Sequence, residues 1–186
     1  MAMLETHCYA ALEMLVGRLY VAYVGETPCL ISASEEEVFL AQVRTMCGVL
    51  PVRSDGTRPR ILQRILATIL GACSYPGPLD LSCLTPFQQE VLLHTMHIPR
   101  GEVRSYAWLA QKLGRPRAWR AVGTALARNP LPFIIPCHRV IHADGRIGAY
   151  SGGGKRTKER LLAFEGVDMS RFHKDNHLAP LQAPVP

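Results

Sequence analysis

A proline- and glycine-rich stretch, Ser74 to Leu84, divides this chain into two regions of different charge. No helix or strand is expected to run through it, so the 186 residues read as two units joined by a linker. Residues 1–99 carry six Lys/Arg against nine Asp/Glu, whereas residues 100–160 carry thirteen against three. A basic block inside a folded region points to an anionic partner, most simply nucleic acid. A solvated basic face without a partner is the competing reading.

The six cysteines, at 8, 29, 47, 73, 83 and 137, form no CxxC pair and match no common zinc spacing. His94 and His97 lack a second ligand pair, so no metal and no cofactor are expected. The N-terminus shows no positive segment followed by an apolar run, and no stretch reaches membrane-spanning length. The expectation is therefore an intracellular protein with reduced thiols and no membrane partner. A monomer is expected as well.

In the first region, Leu15 to Val24 alternates around Leu19, Val21 and Tyr23 and reads as a strand that Pro28 to Ala33 can join. Ser34 and Glu37 form a capping-box pattern for a helix reaching Gly48. A polar loop with Asp55-Gly56 and Pro59 follows. Ile61, Leu62, Ile65, Leu66, Ile69 and Leu70 then mark one face of a second helix.

In the second region, Thr85-Pro86-Phe87-Gln88 starts a helix that ends before Pro99. Ser105 caps another, with Tyr106, Leu109, Ala110 and Leu113 on one face and Gly114 at its end. Pro116 is expected to open a third, buried through Ala118, Ala121, Val122 and Ala125 and exposing Arg117, Arg120, Thr124 and Arg128. Two short helices and a Gly-containing turn, the second with a basic stripe, read as helix-turn-helix or as an ordinary helical hairpin. A last helix is expected from Thr157 to Phe164, with fraying from Val167 onward.

Between these helices lies Pro136-Cys137-His138-Arg139-Val140. The apolar run Phe133-Ile134-Ile135 reads as a buried extended segment leading into it. The thiolate is the nucleophilic form of cysteine, and neighbouring cations or bases raise its population. The glycines after Tyr150-Ser151 allow the backbone to approach a ligand closely.

Taken together, Phe87 to Gly166 resembles the DNA-binding and active-site domain of O6-alkylguanine-DNA alkyltransferases. The matching pieces are Gly101 to Tyr106, Arg120-Ala121-Val122-Gly123, Asn129-Pro130, Ile135 to Val140, Tyr150 to Gly153, Leu161-Leu162 and Glu165-Gly166. The resemblance implies an α+β chain. A small N-terminal α/β, ribonuclease H-like domain (1–84) would precede a mainly helical, winged-helix-like helix-turn-helix domain (85–168) carrying the active site, with a flexible tail (169–186). It implies single-turnover transfer of an alkyl group from O6-alkylguanine, with O4-alkylthymine a second candidate, to the protein's own cysteine. The partner would be double-stranded DNA, entered through the minor groove. Location would be cytoplasmic in a bacterium or archaeon and nuclear in a eukaryote.

By the same resemblance, Cys137 would accept the alkyl group, His138 would be its base through a water, and Glu165 would orient His138. Asn129 would hold the hinge before the active-site segment, and Tyr106 would protonate the leaving guanine. The backbone at Cys137, Val140 and Ser151 would read the base edge, with Tyr150 lining the pocket. Arg120 would enter the duplex where the base has left. Arg117, Arg128, Ala121, Gly123 and Thr124 would also meet the DNA.

The chain departs from the family pattern at three places. Trp119 stands where a small residue is usual, Thr124 where glycine is frequent, and the loop from Tyr150 to Lys158 is one residue longer. The N-terminal zinc ligands of some members cannot be placed here. Three other functions are weighed: a damage sensor on the same scaffold, which would lack the cysteine, a helix-turn-helix regulator, and a Cys-His hydrolase. For the last, adjacent Cys and His are poorly suited, since such pairs meet through the fold.

Overall fold

A continuous apolar run, Leu19 to Tyr23, buried throughout, makes Gly17–Val24 (β2) an inner strand of a four-stranded sheet. The structure, a computed structural model, describes residues 6–14, 17–54 and 59–172. The chain divides into two units, Met1–Thr85 with Pro130–Ile134, and Pro86–Asn129 with Ile135–Pro186.

In the first unit the sheet order is β3-β2-β1-β4. His7–Met14 (β1) pairs antiparallel with β2 over its whole length, from His7 opposite Val24 to Met14 opposite Gly17. This strand was not expected from the sequence. Its Ala, Glu, Leu and Met favour helix, and pairing to β2 overrides that preference. The strand expected from Leu15 begins at Gly17, and Leu15 and Val16 lie outside the described residues. Thr27–Ser32 (β3) pairs antiparallel with β2, as the sequence suggested, across the Gly25-Glu26 turn. Val52–Arg53 (β4) adds a short parallel strand on β1. The Asp55-Gly56 loop lies outside the described residues.

Glu36–Cys47 (α1) covers one face of the sheet with Phe39 and Val43, which share a cluster with Tyr9, Tyr20, Ala22, Cys29 and Leu30. The Phe39 ring stacks on Tyr20 at 5.4 Å, and Tyr9 Oη donates to Glu36 Oε1 at 2.7 Å. The capping box does not form. Glu35 holds the N-cap position without a side-chain bond, and Ser34 Oγ donates to the Glu35 carbonyl instead. Arg60–Ile69 (α2) buries Ile61, Leu62, Ile65 and Ile69. The proline-rich stretch is irregular but not loose: Tyr75 and Leu81 are buried, and Tyr75 Oη donates to the Glu26 carbonyl.

The second unit is built on Pro86–Thr95 (α3), Tyr106–Lys112 (α4) and Trp119–Ala127 (α5), which pack against one another. Ser105 caps α4 as expected, its hydroxyl accepting from Trp108 N at 3.0 Å. α5 starts at Trp119, not Pro116, so Arg117 precedes the helix and Arg128 is its C-cap. Ala121, expected on the buried face, is exposed. Arg104–Ser105 (β5) and Val140–Ile141 (β6) pair in parallel, a contact too short to leave a periodic signal. Gly154–Phe164 (α6) begins three residues before the expected Thr157. Beyond it, Met169–Arg171 forms a 3-10 turn, and Met169 and Phe172 pack on Ile141, Ile147 and Leu162. The fraying expected from Val167 therefore does not begin there. The rest of the tail, 173–186, lies outside the described residues.

The two serines give a direct comparison. Ser105→Ala should lower stability by about 1 kcal/mol through loss of the N-cap, while Ser34→Ala should cost no more than a few tenths. Urea unfolding of both variants checks this, and equal effects would contradict the cap assignment.

Candidate active site

Pro136 turns the chain into Cys137–Arg139, and Arg139 N donates back to the Pro136 carbonyl at 2.9 Å. The motif is thus one 3-10 turn, and the run expected to lead into it in extended form is interrupted. Phe133, just upstream, adopts a left-handed φ of 76° that also breaks extension. β6 follows immediately, and its pairing to β5 fixes the turn next to Tyr106, the first residue of α4.

Cys137 lies in the wall of a cavity of about 280 Å³. Tyr106, Gly123, Leu126, Ala127, Ala149, Tyr150 and Ser151 form the rest of that wall. The Tyr150 ring is packed so closely under the following loop that a Cβ on Gly152 would sit 2.6 Å from it. Only glycine fits there. Burial pushes the Tyr150 hydroxyl well above the ordinary tyrosine range, and Tyr106 is raised by the same cause.

Behind the thiol lies a buried ionic network. His138 Nε2 donates to Glu165 Oε1 at 3.0 Å. Arg139 reaches the same carboxylate with Nε at 2.8 Å and Nη2 at 2.7 Å, and its Nη1 donates to the Ile98 carbonyl at 2.6 Å. Burial alone would raise the Glu165 carboxyl, but the hydrogen bonds from His138 and Arg139 prevail and hold it down at about 2. Burial lowers the pKa of His138, with Glu165 opposing in part, so the ring is neutral at pH 7. With Nε2 donating, the lone pair belongs to Nδ1, which is buried and has no hydrogen-bond partner among the described residues. The ring is oriented as a proton acceptor.

Asn129, buried just after α5, donates from Nδ2 to both the Ile135 carbonyl and Cys137 Sγ, each at 3.1 Å. Its amide therefore bonds the thiol itself, besides standing at the hinge. Burial pushes the Cys137 thiol up, opposed by the Asn129 bond and the charge of Lys158. The thiolate enrichment expected from the sequence is not what the resting site has, because burial outweighs the neighbouring donors and cations.

Lys158 is the residue the sequence reading left without a role. It is 1% exposed, donates from Nζ to the Val140 carbonyl at 2.6 Å, and lies 6.0 Å over the Tyr106 ring. Burial lowers it to about 8. Its signal was available: Lys158, Leu161, Leu162 and Glu165 follow at i, i+3, i+4 and i+7, a charged pair on an apolar stripe. His142 was also missed; its ring lies 5.2 Å from that of Tyr106.

Of the other candidates, Ser151 is exposed at the cavity wall, whereas Val140 is fully buried and holds Lys158 through its carbonyl. Gly123 lines the cavity, while Arg120 and Thr124 are exposed on α5, Thr124 Oγ1 donating to the Arg120 carbonyl at 3.2 Å. Arg117 and Arg128 are exposed at either end of that helix. Among the described residues no three His, Cys, Asp or Glu side chains converge on a metal position, and no helix is long and apolar enough to cross a membrane.

A family profile described as "6-O-methylguanine DNA methyltransferase, DNA binding domain" matches residues 86–167. A methylated-DNA–protein-cysteine methyltransferase of Rattus norvegicus is 52% identical over 82 residues, 44% of this chain and 39% of that protein. The chain thus spans about two fifths of the length of that relative. One from Methanothermobacter thermautotrophicus is 38% identical over 128 residues, 66% of this chain and 71% of that protein. The crystal structure of Mycobacterium tuberculosis OGT in complex with DNA superposes with a TM-score of 0.70 at 33% identity, covering 85% of this chain and 92% of that one.

The carboxylate network sets an acid limit. A carboxyl held at about 2 and near 4.3 when unfolded stabilises the fold above that unfolded value, and the stabilisation is lost as pH falls toward 2. Glu165→Gln should be less stable at pH 7 and should lose on the order of 2 kcal/mol less than wild type between pH 5 and 2. Parallel stability curves would contradict the network.

Proposed function

The chain belongs to the methylated-DNA–protein-cysteine methyltransferase family, and from that premise we propose that it repairs O6-alkylguanine in DNA by moving the alkyl group onto its own Cys137. The observation that carries this reading is the buried thiol in the wall of an open cavity, backed by a carboxylate-oriented imidazole. O4-alkylthymine is a second substrate of the same chemistry. The first unit is read as ribonuclease H-like and the second as winged-helix-like, with α4 and α5 as the helix-turn-helix and the protein acting as a monomer.

An O6-alkyl group lies inside the base stack, so a cysteine in a protein cavity meets it only after the nucleotide is flipped out. The basic second region binds the phosphates, α5 docks in the minor groove, and Arg120 fills the gap. Arg117 and Arg128, at the ends of α5, hold the backbone, while Ala121, Gly123 and Thr124 present little bulk to the groove.

The cavity then holds guanine against Cys137. Its edge is read by the backbone at Cys137, Val140 and Ser151, with Tyr150 as wall. The thiol proton passes through a water to His138 Nδ1, and Glu165 with Arg139 stabilises the imidazolium that results. Sγ attacks the O-alkyl carbon; the S–C bond forms as the C–O6 bond breaks, and its electron pair leaves with guanine. Tyr106 gives the base a proton, and the ammonium of Lys158 over its ring stabilises the tyrosinate. Proton return from His138 restores neutrality. The thioether is stable, so each molecule reacts once. The chemistry asks for positioning and proton transfer alone.

Incubation with duplex DNA carrying a labelled O6-methylguanine should place one label per protein on the Cys137 peptide, after which transfer stops. Cys137→Ser should bind the duplex and take no label. Continuous turnover, or label on Cys8, Cys29, Cys47, Cys73 or Cys83, would sink the reading.

Flipping and chemistry separate at Arg120. Arg120→Ala should slow reaction with the duplex by tenfold or more relative to reaction with free O6-benzylguanine, which needs no flipping. Replacing Arg117 or Arg128 should weaken binding across sequences and flatten the salt dependence by about one unit of slope each. Equal slowing of both substrates by Arg120→Ala would place Arg120 in support of the cavity instead.

A further inference from the structure

Trp119 opens α5 and is 44% exposed, beside the face that the helix packs through Val122, Ala125 and Leu126. The Arg120 guanidinium lies 4.7 Å over its indole. Among the described residues that guanidinium has no carboxylate partner, so the indole is what orients it. Trp119, Gly123 and Leu126 follow at i, i+4 and i+7 and form one stripe, and the last two line the cavity that holds Cys137. The indole therefore sits one turn, about 6 Å of helix rise, from the cavity wall. Exposed cations stand beside the indole at Arg120, before the helix at Arg117 and at its C-cap at Arg128, so the occupant that fits this helix is a polyanion with flat apolar faces, which is DNA.

We propose that Trp119 and Arg120 act as a two-part wedge. When the target nucleotide leaves the stack, the Arg120 guanidinium fills the gap and the Trp119 indole stacks on the base pair bordering it. This rests on the alkyltransferase reading and deepens it by adding a residue that pays part of the flipping energy. Base–aromatic stacking is strong and indifferent to sequence, because every base has a π-face. Holding the guanidinium against the indole before DNA arrives reduces the side-chain freedom lost on docking. A small side chain at 119 would leave Arg120 alone to hold the gap.

Two measurements test the wedge. In the first, Trp108→Phe with Cys137→Ser leaves Trp119 as the sole indole and stops the reaction at the bound complex. Its fluorescence should be quenched, and its access to acrylamide cut severalfold, on saturation with a duplex containing O6-methylguanine. Unchanged access would overturn the proposal. Equal protection by the undamaged duplex would reduce Trp119 to a groove contact and overturn it too. In the second, the ratio of duplex to free O6-benzylguanine reaction rates is compared for wild type, Trp119→Phe and Trp119→Leu. The ratio should fall about tenfold or more for Leu, the order of one lost stack, and much less for Phe. A wild-type ratio in Trp119→Leu would overturn the wedge while leaving alkyl transfer intact. Absence of label on Cys137 from either substrate would instead remove the alkyltransferase reading, and the fluorescence arm would still decide whether Trp119 stacks on DNA.

Discussion

The Glu165 carboxylate is the point on which the second unit turns. It closes α6, accepts from His138 and twice from Arg139, and through Arg139 is tied to the Ile98 carbonyl beyond α3. A buried carboxylate without donors would be neutral or would unfold its surroundings. With three donors it stays charged, and its charge selects the tautomer of His138. One anion thus couples the packing of helices to the direction in which a proton can move.

How much of this was legible in the sequence depended on the length of each signal. Ser105, with its apolar face at Tyr106, Leu109 and Ala110, announced α4 and its cap. Gly48 announced the end of α1, which it closes with a φ of 74°. Cys137, His138 and Glu165 were legible only as a constellation. β1 was invisible because its residue types favour helix and its partner decides the matter. β5 and β6 are two residues each, below any periodicity. The capping box at Ser34 failed because Ser32 and the Glu35 carbonyl compete for the same hydroxyl. Arg117 and Arg128 looked like one stripe only while α5 was taken to start at Pro116.

The thiol shows where local reading runs out. His138 and Arg139 beside Cys137 suggest a lowered pKa, yet the turn aims both side chains at Glu165. What acts on Sγ instead is the Asn129 amide, the Ser151 side chain and the charge of Lys158. Burial then prevails and the resting group is a neutral thiol. Such a site avoids the indiscriminate reactivity of an exposed thiolate. A neutral thiol becomes a nucleophile only once its proton is removed.

The path of the backbone carries a consequence for dissecting the molecule. The chain leaves the second unit after Asn129, spends Pro130 to Ile134 in the first, where Ile31 N donates to the Pro130 carbonyl, and returns just before Cys137. Leu131, Phe133 and Ile134 are buried along the way. A fragment cut at Thr85 would keep every side chain of the reactive site yet strip the partners from the five residues that deliver Cys137. The two units are therefore not interchangeable modules: a chimaera must carry the receiving surface for 130–134 along with Cys137.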